Sequence, residues 1–335
     1  MKKGFFLRDR PPHRVQRYRC LHCGRSFSSQ TFSPTYWLRR PELLRPLFHR
    51  LLGCSALRQI AFEFGVSHST VQRQAERLGR HCLLFHEQLR PEGVPEPVVV
   101  LDGFRSFEAG QYWPFDTNLL VGSSHFVYGF NDAELRRSGT MTPAQRRKRE
   151  RLERRWGRPD PRATHRAVEE LVRRVLPEGS RVELWSDEHR AYPRALARVK
   201  GRRIHHRTIS STAARTTGNP LFPVNLADLL IRHTGANHKR ETIAFSKRRQ
   251  GALYRLAIWQ VWRNYLKWRS ERRREGTPAQ LLGLVGRRLT VDDVVARRLF
   301  PSRFRLSAWV ERCYAGRIPT RRWPRLRVHQ ARLAF

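Results

Sequence analysis

The chain has 335 residues, enough for two or three domains that each bury a core, and carries 67 Lys and Arg against 28 Asp and Glu, a formal charge of +39. Such an excess repels itself unless a polyanion neutralises it, so nucleic acid is the expected partner, bound with steep salt dependence. No membrane is expected, because Arg or Lys interrupts every long apolar segment. Nor is a disulfide framework, because the five cysteines are odd in number and only two stand close together. The first apolar run stops at Leu7, short of the roughly 7–15 residues of an export signal. The expectation is a soluble chain of the cytoplasm, associated with the nucleoid.

Residues 1–40 are loop-rich and basic around Cys20-Leu21-His22-Cys23-Gly24, which has the form of a zinc-ribbon knuckle. The glycine after the second cysteine permits the turn that aims both sulfurs at one ion. Structural zinc takes four ligands, and no second Cys-x-x-Cys pair exists; His13 and His22 are the nearest candidates, at unsuitable spacing. Two readings stay open: a Zn²⁺ site whose other ligands lie upstream of Met1, and a vestigial knuckle.

Residues 41–90 carry helical periodicity, and the best local motif spans 57–76. Ala61, Gly65 and Val71 are spaced as a helix-turn-helix requires: a small residue at the crossing, a glycine for a positive-φ turn, and a β-branched residue under the second helix. Ser67 suits the N-cap of a helix beginning at His68. That helix presents His68, Ser69, Gln72 and Arg73 to a major groove, with Gln72 and Arg73 as base readers and Arg58 and Arg77 as phosphate contacts. The alternative is a plain helical hairpin. Cys54 and Cys82 flank it as small apolar residues.

A Pro- and Glu-rich linker at 91–97 separates this domain from a predicted catalytic domain, 91–275, and a basic C-terminal tail, 276–335. After the linker, 98–101 is a β-branched run that predicts a buried strand; 118–121 and 125–130 predict two more around a turn at Gly122-Ser123-Ser124. Residues 142–156 form a solvated basic helix or a disordered insertion, with phosphate tracking as a further reading. Helical spacing follows at 163–176, strands at 181–185 and 205–209, then helices at 223–232 and 244–274; the latter bears Trp259, Trp262 and Trp268 as expected core residues. Residues 291–299 are the most helix-like part of the tail.

Asp102 ends the first predicted strand and Asp187 follows the fourth. Two-metal phosphoryl transfer needs carboxylates from separate elements to converge on one pair of ions. A strand with Asp, two strands, a helix, a strand with Asp, a strand and a helix with an acid is the ribonuclease-H-like order, a mixed α/β sheet flanked by helices. A third acid belongs on the helix after the last strand, where Asn225, Asp228 and Glu241 stand. Asp228 is favoured, being the lone acid of an apolar helix. Its rival explanation is a capping box reaching back to Asn225, and Glu241 is the rival ligand.

Together, Cys20-x-x-Cys23, the motif around Gly65, Leu101-Asp102-Gly103, Ser186-Asp187 and the stretch from Val224 through Arg232 to Thr242-Ile243-Ala244-Phe245-Ser246-Lys247 resemble bacterial insertion-sequence transposases of the DDE superfamily, over most of residues 10–270. The resemblance implies a metal-binding N-terminal region, a helix-turn-helix domain for the element's terminal repeats, and a ribonuclease-H-like core using Mg²⁺ or Mn²⁺. Such an enzyme hydrolyses DNA strands at element ends and transfers the freed 3′-hydroxyl to target DNA. Asp102 and Asp187 match its first two acids, and its usual glutamate falls near Asn225 or Asp228. Arg240, Lys247 and Arg248 match basic positions that grip DNA, and assembly on paired ends implies a homodimer on double-stranded DNA. The chain departs from the pattern at the third acid and in lacking a first cysteine pair. The alternatives are an inactive, transposase-derived DNA-binding protein and a non-enzymatic RNA-binding protein.

Overall fold

A computed structural model describes residues 1–9, 12–239, 241–323, 325 and 328–329. The chain begins with β1 (Lys2–Leu7), β2 (Arg14–Arg19) and β3 (Ser26–Ser28), paired antiparallel in that order. Three helices follow: α1 (Leu44–Leu52), α2 (Leu57–Glu63) and α3 (His68–Leu89). The central region comprises β4 (Val98–Phe107), β5 (Pro114–Gly122), β6 (Val127–Glu134), α4 (Pro143–Trp156), α5 (Ala163–Val175), β7 (Arg181–Ser186), α6 (Ala191–Leu196) and β8 (Arg203–Thr208). Next come α7 (Phe222–Thr234) and α8 (Arg249–Val261), which runs into a π-helical turn, Trp262–Leu266. The short helices α9 (Pro278–Leu281), α10 (Val291–Ala296) and α11 (Ala308–Tyr314) complete the order.

The second sheet has the order β6-β5-β4-β7-β8, with β4 to β6 antiparallel and both β7 and β8 parallel to β4. It is a mixed five-stranded sheet flanked by helices, an α/β fold compatible with the ribonuclease-H-like core expected above. Register defines its faces. Gly103, Asn118 and Asn131 stand side by side on one face, where the Asn131 amide donates to the Ala167 carbonyl of α5. Asp102 and Phe104 project from the other, and α7 covers it, with the Arg232 guanidinium 5.6 Å from the Phe104 ring.

The strands run further than their apolar signatures. β4 continues to Phe107, so Asp102 lies within the strand and not at its end, because β5 pairs with it residue by residue from Val99 and Gly122 to Phe107 and Pro114. The helix predicted over 244–274 is shorter at both ends. Ser246 is held in a loop by the Ala109 N–H and the Asn237 amide. At the other end, the Asn264 amide donates to the Val127 carbonyl (2.9 Å) and its oxygen accepts from the Val127 N–H (2.9 Å), fixing the π turn to β6. Trp259 is buried and Trp262 packs against the core, as expected.

Two regions differ more. The N-terminal stretch read as loops contains the three-stranded sheet, whose β1 is exposed along its whole length and so carries no burial pattern to detect. The stretch read as a basic tail folds back: Val291, Val294, Leu299, Trp309, Val310, Tyr314 and Ile318 are buried in the same hydrophobic cluster as α1, α3 and α8.

α3 also outruns its motif, since the stripe from Val71 through Leu78, Cys82 and Phe85 is buried. It lies so close to α8 that a Cβ on Gly79 would sit 2.4 Å from the Tyr254 Cβ and 2.8 Å from its Cα. Backbone atoms cannot retreat cheaply, so Gly79→Ala is expected to destabilise the chain by roughly 1–3 kcal/mol in chemical denaturation; an unchanged midpoint would mean that the two helices separate without loss.

Candidate active site

β4 and β7 are parallel neighbours with Val100 opposite Trp185. Asp102 and Asp187 each stand two residues beyond that pair, so the period of a strand aims both carboxylates to one side. α7 supplies Asp228 from above. All three line a cavity of about 900 Å³, together with Arg105, Arg137, Arg215, Arg232 and Lys239.

The acids bear on one another. Burial pushes the Asp102 carboxyl up to about 6, and the Asp187 charge adds to the rise against the Gly103 N–H and Arg215. Its Oδ1 accepts from the Gly103 N–H at 2.7 Å and faces the Tyr192 hydroxyl at 3.5 Å. Burial likewise raises Asp228 well above the carboxylate range, with Asp102 adding and Arg232 and Arg215 opposing. Asp187 Oδ1 accepts from the His189 N–H at 3.0 Å. A fourth acid, Asp116, is raised by burial and lies 3.5 Å from Arg105 as an ion pair.

The Asp228 Oδ1 atom is buried and has no hydrogen-bond partner among the described residues. A capping role does not explain it: α7 begins at Phe222, and the Asn225 N–H is already bonded to the Leu221 carbonyl at 2.9 Å. An orphaned carboxylate oxygen beside a second acid suits a hard divalent cation such as Mg²⁺ or Mn²⁺, which takes oxygen ligands. Among the described residues no three His, Cys, Asp or Glu side chains form a ready metal cage, so joint coordination requires the three carboxylates to close up. Glu241 is exposed in a bend outside the cavity lining.

The remaining predicted residues lie elsewhere. The α2–α3 turn has the predicted local geometry: Gly65 at φ +59, Ser67 accepting from the Thr70 N–H, and Ile60, Ala61 and Val71 buried. Arg58, His68, Ser69, Gln72 and Arg73 are exposed, and the Gln72 amide donates to Glu76 at 3.0 Å. Arg77, expected as a phosphate contact, is engaged within the fold. Its guanidinium donates to the carbonyls of Pro34 (3.2 Å) and Tyr36 (2.6 Å), and burial lowers it to about 10, so it ties α3 to the N-terminal segment. Lys247 is exposed over the Phe245 ring at 3.9 Å, Arg248 donates to the Trp323 carbonyl at 3.0 Å, and Arg240 lies outside the described residues.

Cys20 and Cys23 sit in the β2–β3 turn, where Gly24 adopts φ +69 and its N–H bonds the Cys20 carbonyl at 3.0 Å. The backbone N–H of Cys23, the Cys23 side chain and the backbone N–H of His22 together lower the Cys20 thiol. That favours the thiolate a metal would need, but the described residues bring no further ligands. Cys82 is buried, as expected, whereas Cys54 is half-buried at φ +58.

Sequence reasoning missed the cationic lining. Arg232 carried a signal, standing four residues after Asp228 on one helical face; Arg215, in a loop, and Tyr192, on an unpredicted helix, carried none. No protein-family model matches the chain, and no curated protein matches it.

The raised Asp102 has a consequence for stability. Its folded value of about 6, against 3.8 for an ordinary aspartate, means that its favourable contribution is complete below about pH 4 and is lost as pH rises through about 6. In chelator, Asp102→Asn is therefore expected to stabilise the fold by roughly 1–3 kcal/mol near about pH 8, the gain vanishing near about pH 4. Equal midpoints for the two proteins across that range would contradict the electrostatic coupling.

Proposed function

We propose that the chain is a DDE-type transposase, which binds the ends of an insertion sequence, cuts DNA strands there and joins the freed 3′-hydroxyl to target DNA. The observation that carries the reading is the convergence of Asp102, Asp187 and Asp228, far apart in sequence, on one cavity ringed by five cationic side chains. The strand order supports a ribonuclease-H-like core, the exposed start of α3 supports a helix-turn-helix reader, and +39 supports a polyanionic substrate.

The three aspartates are the residues that would hold Mg²⁺ or Mn²⁺. When bound, such ions activate the attacking oxygen and stabilise the leaving oxygen of an in-line displacement. The chain's own groups do the rest. Arg105, Arg137 and Lys239 neutralise phosphates drawn into the cavity, while Arg215 and Arg232 partly offset the acids' mutual repulsion. The Tyr192 hydroxyl and the Gly103 N–H fix the Asp102 oxygen that faces them. In the cleavage step a water oxygen attacks phosphorus, the 3′-oxygen departs and takes a proton; in the joining step that 3′-hydroxyl loses its proton, attacks a target phosphodiester, and the target strand's own 3′-oxygen departs.

Asp102→Asn and Asp187→Asn are each expected to abolish Mg²⁺-dependent cleavage of DNA carrying the element's ends while leaving binding to those ends intact. Cleavage retained in either variant would sink the metal-site reading. Asp228→Asn is expected to lose activity and Glu241→Gln to keep it; the reverse result would move the third ligand downstream. A wild-type chain that binds the ends and never cuts them would be the DNA-binding descendant instead.

For the reader helix, Arg73→Ala is expected to weaken binding to cognate ends by roughly 1–3 kcal/mol and to relax base preference at one position. An equal loss on random duplex would make Arg73 a phosphate contact.

A further inference from the structure

Among the described residues, the β1–β3 sheet has a face that is only partly covered, with Phe5, Leu7 and Phe27 exposed and Gln16 and Tyr18 half-buried. Cross-strand register places Leu7 opposite Arg14, Phe5 opposite Gln16, Lys2 opposite Tyr18 and Tyr18 opposite Phe27, so these side chains share one face. The inward face is marked by Val15, which is fully buried, opposite Phe6. On the outward face Phe5 is 45 %, Phe27 39 % and Leu7 73 % exposed, an unusual concentration of apolar surface in so charged a chain.

Two contacts give the face its chemistry. The Arg14 guanidinium lies 3.7 Å from the Phe5 ring centroid, and the Tyr18 and Phe27 rings stack at 5.3 Å with 20° between their planes. Phe27 also lines a second cavity of about 140 Å³, on the scale of a single nucleobase, with Phe32, Phe300, Thr31, Arg298 and Arg303. Phe32 holds its place there at φ +68, a conformation that a bulky residue adopts only under constraint, and its ring meets that of Phe300 at 4.6 Å. Neither Arg298 nor Arg303 has an acidic partner among the described residues.

We propose that this aromatic face, continued by the pocket between Phe27, Phe32 and Phe300, binds single-stranded DNA. Exposed rings interleaved with cations suit unpaired bases, which stack on aromatic side chains while their phosphates meet Lys and Arg. Charge complementarity is strong, since residues 1–28 contain eight Lys and Arg and one acid, Asp9. Cross-strand packing alone would account for the Tyr18–Phe27 stack, but it leaves the exposed Phe5 and Leu7 and the arginine-lined pocket without a role. The choice of DNA over other polyanions rests on the proposed transposase reading; the stacking surface does not. Its residues are separate from those of the catalytic cavity.

The test is fluorescence anisotropy of the full-length protein with labelled oligo(dT) and with a duplex of equal length, in chelator and across a range of salt. Phe5→Ala with Phe27→Ala, and independently Phe300→Ala, are expected to weaken oligo(dT) binding by about tenfold or more, with duplex affinity changed by less than about twofold. The Phe5→Leu, Phe27→Leu pair keeps apolar bulk without the rings and is expected to show the same loss; full retention there would overturn the proposal. Equal losses on duplex and single strand would reduce the surface to a general electrostatic patch. Tighter binding of oligo(rU) would overturn the assignment to DNA, and loss of self-association in place of DNA binding would make the face a contact between copies of the chain. Because chelator removes any need for catalysis, the two readings fail separately: stacking-dependent binding without cleavage sinks only the enzyme, and cleavage without it sinks only this surface.

Discussion

The geometry of the cavity depends on a buried arginine remote in sequence from all three acids. Arg249, at the first turn of α8, is fully enclosed, with Nε 2.8 Å from Asp132 as an ion pair, Nη2 2.9 Å from Glu134 and Nη1 3.7 Å from Glu108. Its N–H donates to Glu108 at 2.7 Å and its Nη2 to the Pro319 carbonyl at 2.8 Å. One guanidinium thus clamps the far ends of β4 and β6, the start of α8 and the C-terminal segment. Burial alone would raise Glu134, but Arg249 and Arg321 outweigh it and hold it low, whereas burial prevails at Glu108. Removing the cation would strand several acids in the interior, the costly way to break a buried network.

The opposite arrangement holds at the cavity. There burial outweighs the nearby donors and cations, and Asp102 and Asp228 are both pushed toward their neutral forms. A fold selected for stability alone would place an amide or an apolar side chain at Asp228, among Val224, Ala227 and Ile231. An ionisable acid kept there despite burial is the mark expected of a site whose groups are fitted to a ligand and not to one another. The contrast with Arg249 is instructive because both clusters gather three acids, and only one of them encloses an arginine ion-paired to all three.

How far the sequence revealed this follows from where each signal came from. The strands around Val99 and Leu119 are buried on both faces, so their apolar runs announced them, whereas the one around Leu184 alternates. Where a strand turns polar, as β4 does from Asp102 onward, its extent is set by pairing with β5, which no local pattern encodes. β1 was invisible because its side chains meet solvent. The C-terminal segment misled by composition: most of its described arginines are exposed while single residues such as Trp309 and Val310 reach the core. Asp102 and Asp187 could be singled out beside predicted strands and Asp228 on an apolar helix, but their basic surroundings come from a strand, three loops and a helix. Only Arg105, on the strand of Asp102, and Arg232, on the helix of Asp228, shared an element with an acid.

The distribution of positive charge completes the argument. α4 has no buried residue and carries seven Lys and Arg against two Glu, so it contributes nothing to the core. It is nevertheless an ordered helix, started by a Thr142–Gln145 capping box and anchored by the bidentate Arg136–Glu153 pair. Arg137 and Lys148 lie over the Tyr112 ring at 4.7 and 5.1 Å, which ties the helix to the loop bearing Gln111, a cavity residue. On the proposed reading, a cationic helix fastened beside an acidic cavity separates two tasks: it would attract a polyanion over distances of a Debye length, about 10 Å at moderate salt, while Asp102, Asp187 and Asp228 form no ion pair among the described residues that would fill the site. On the proposed reading, the excess charge is therefore part of how a strongly negative substrate is brought to a cluster of carboxylates that would otherwise repel it.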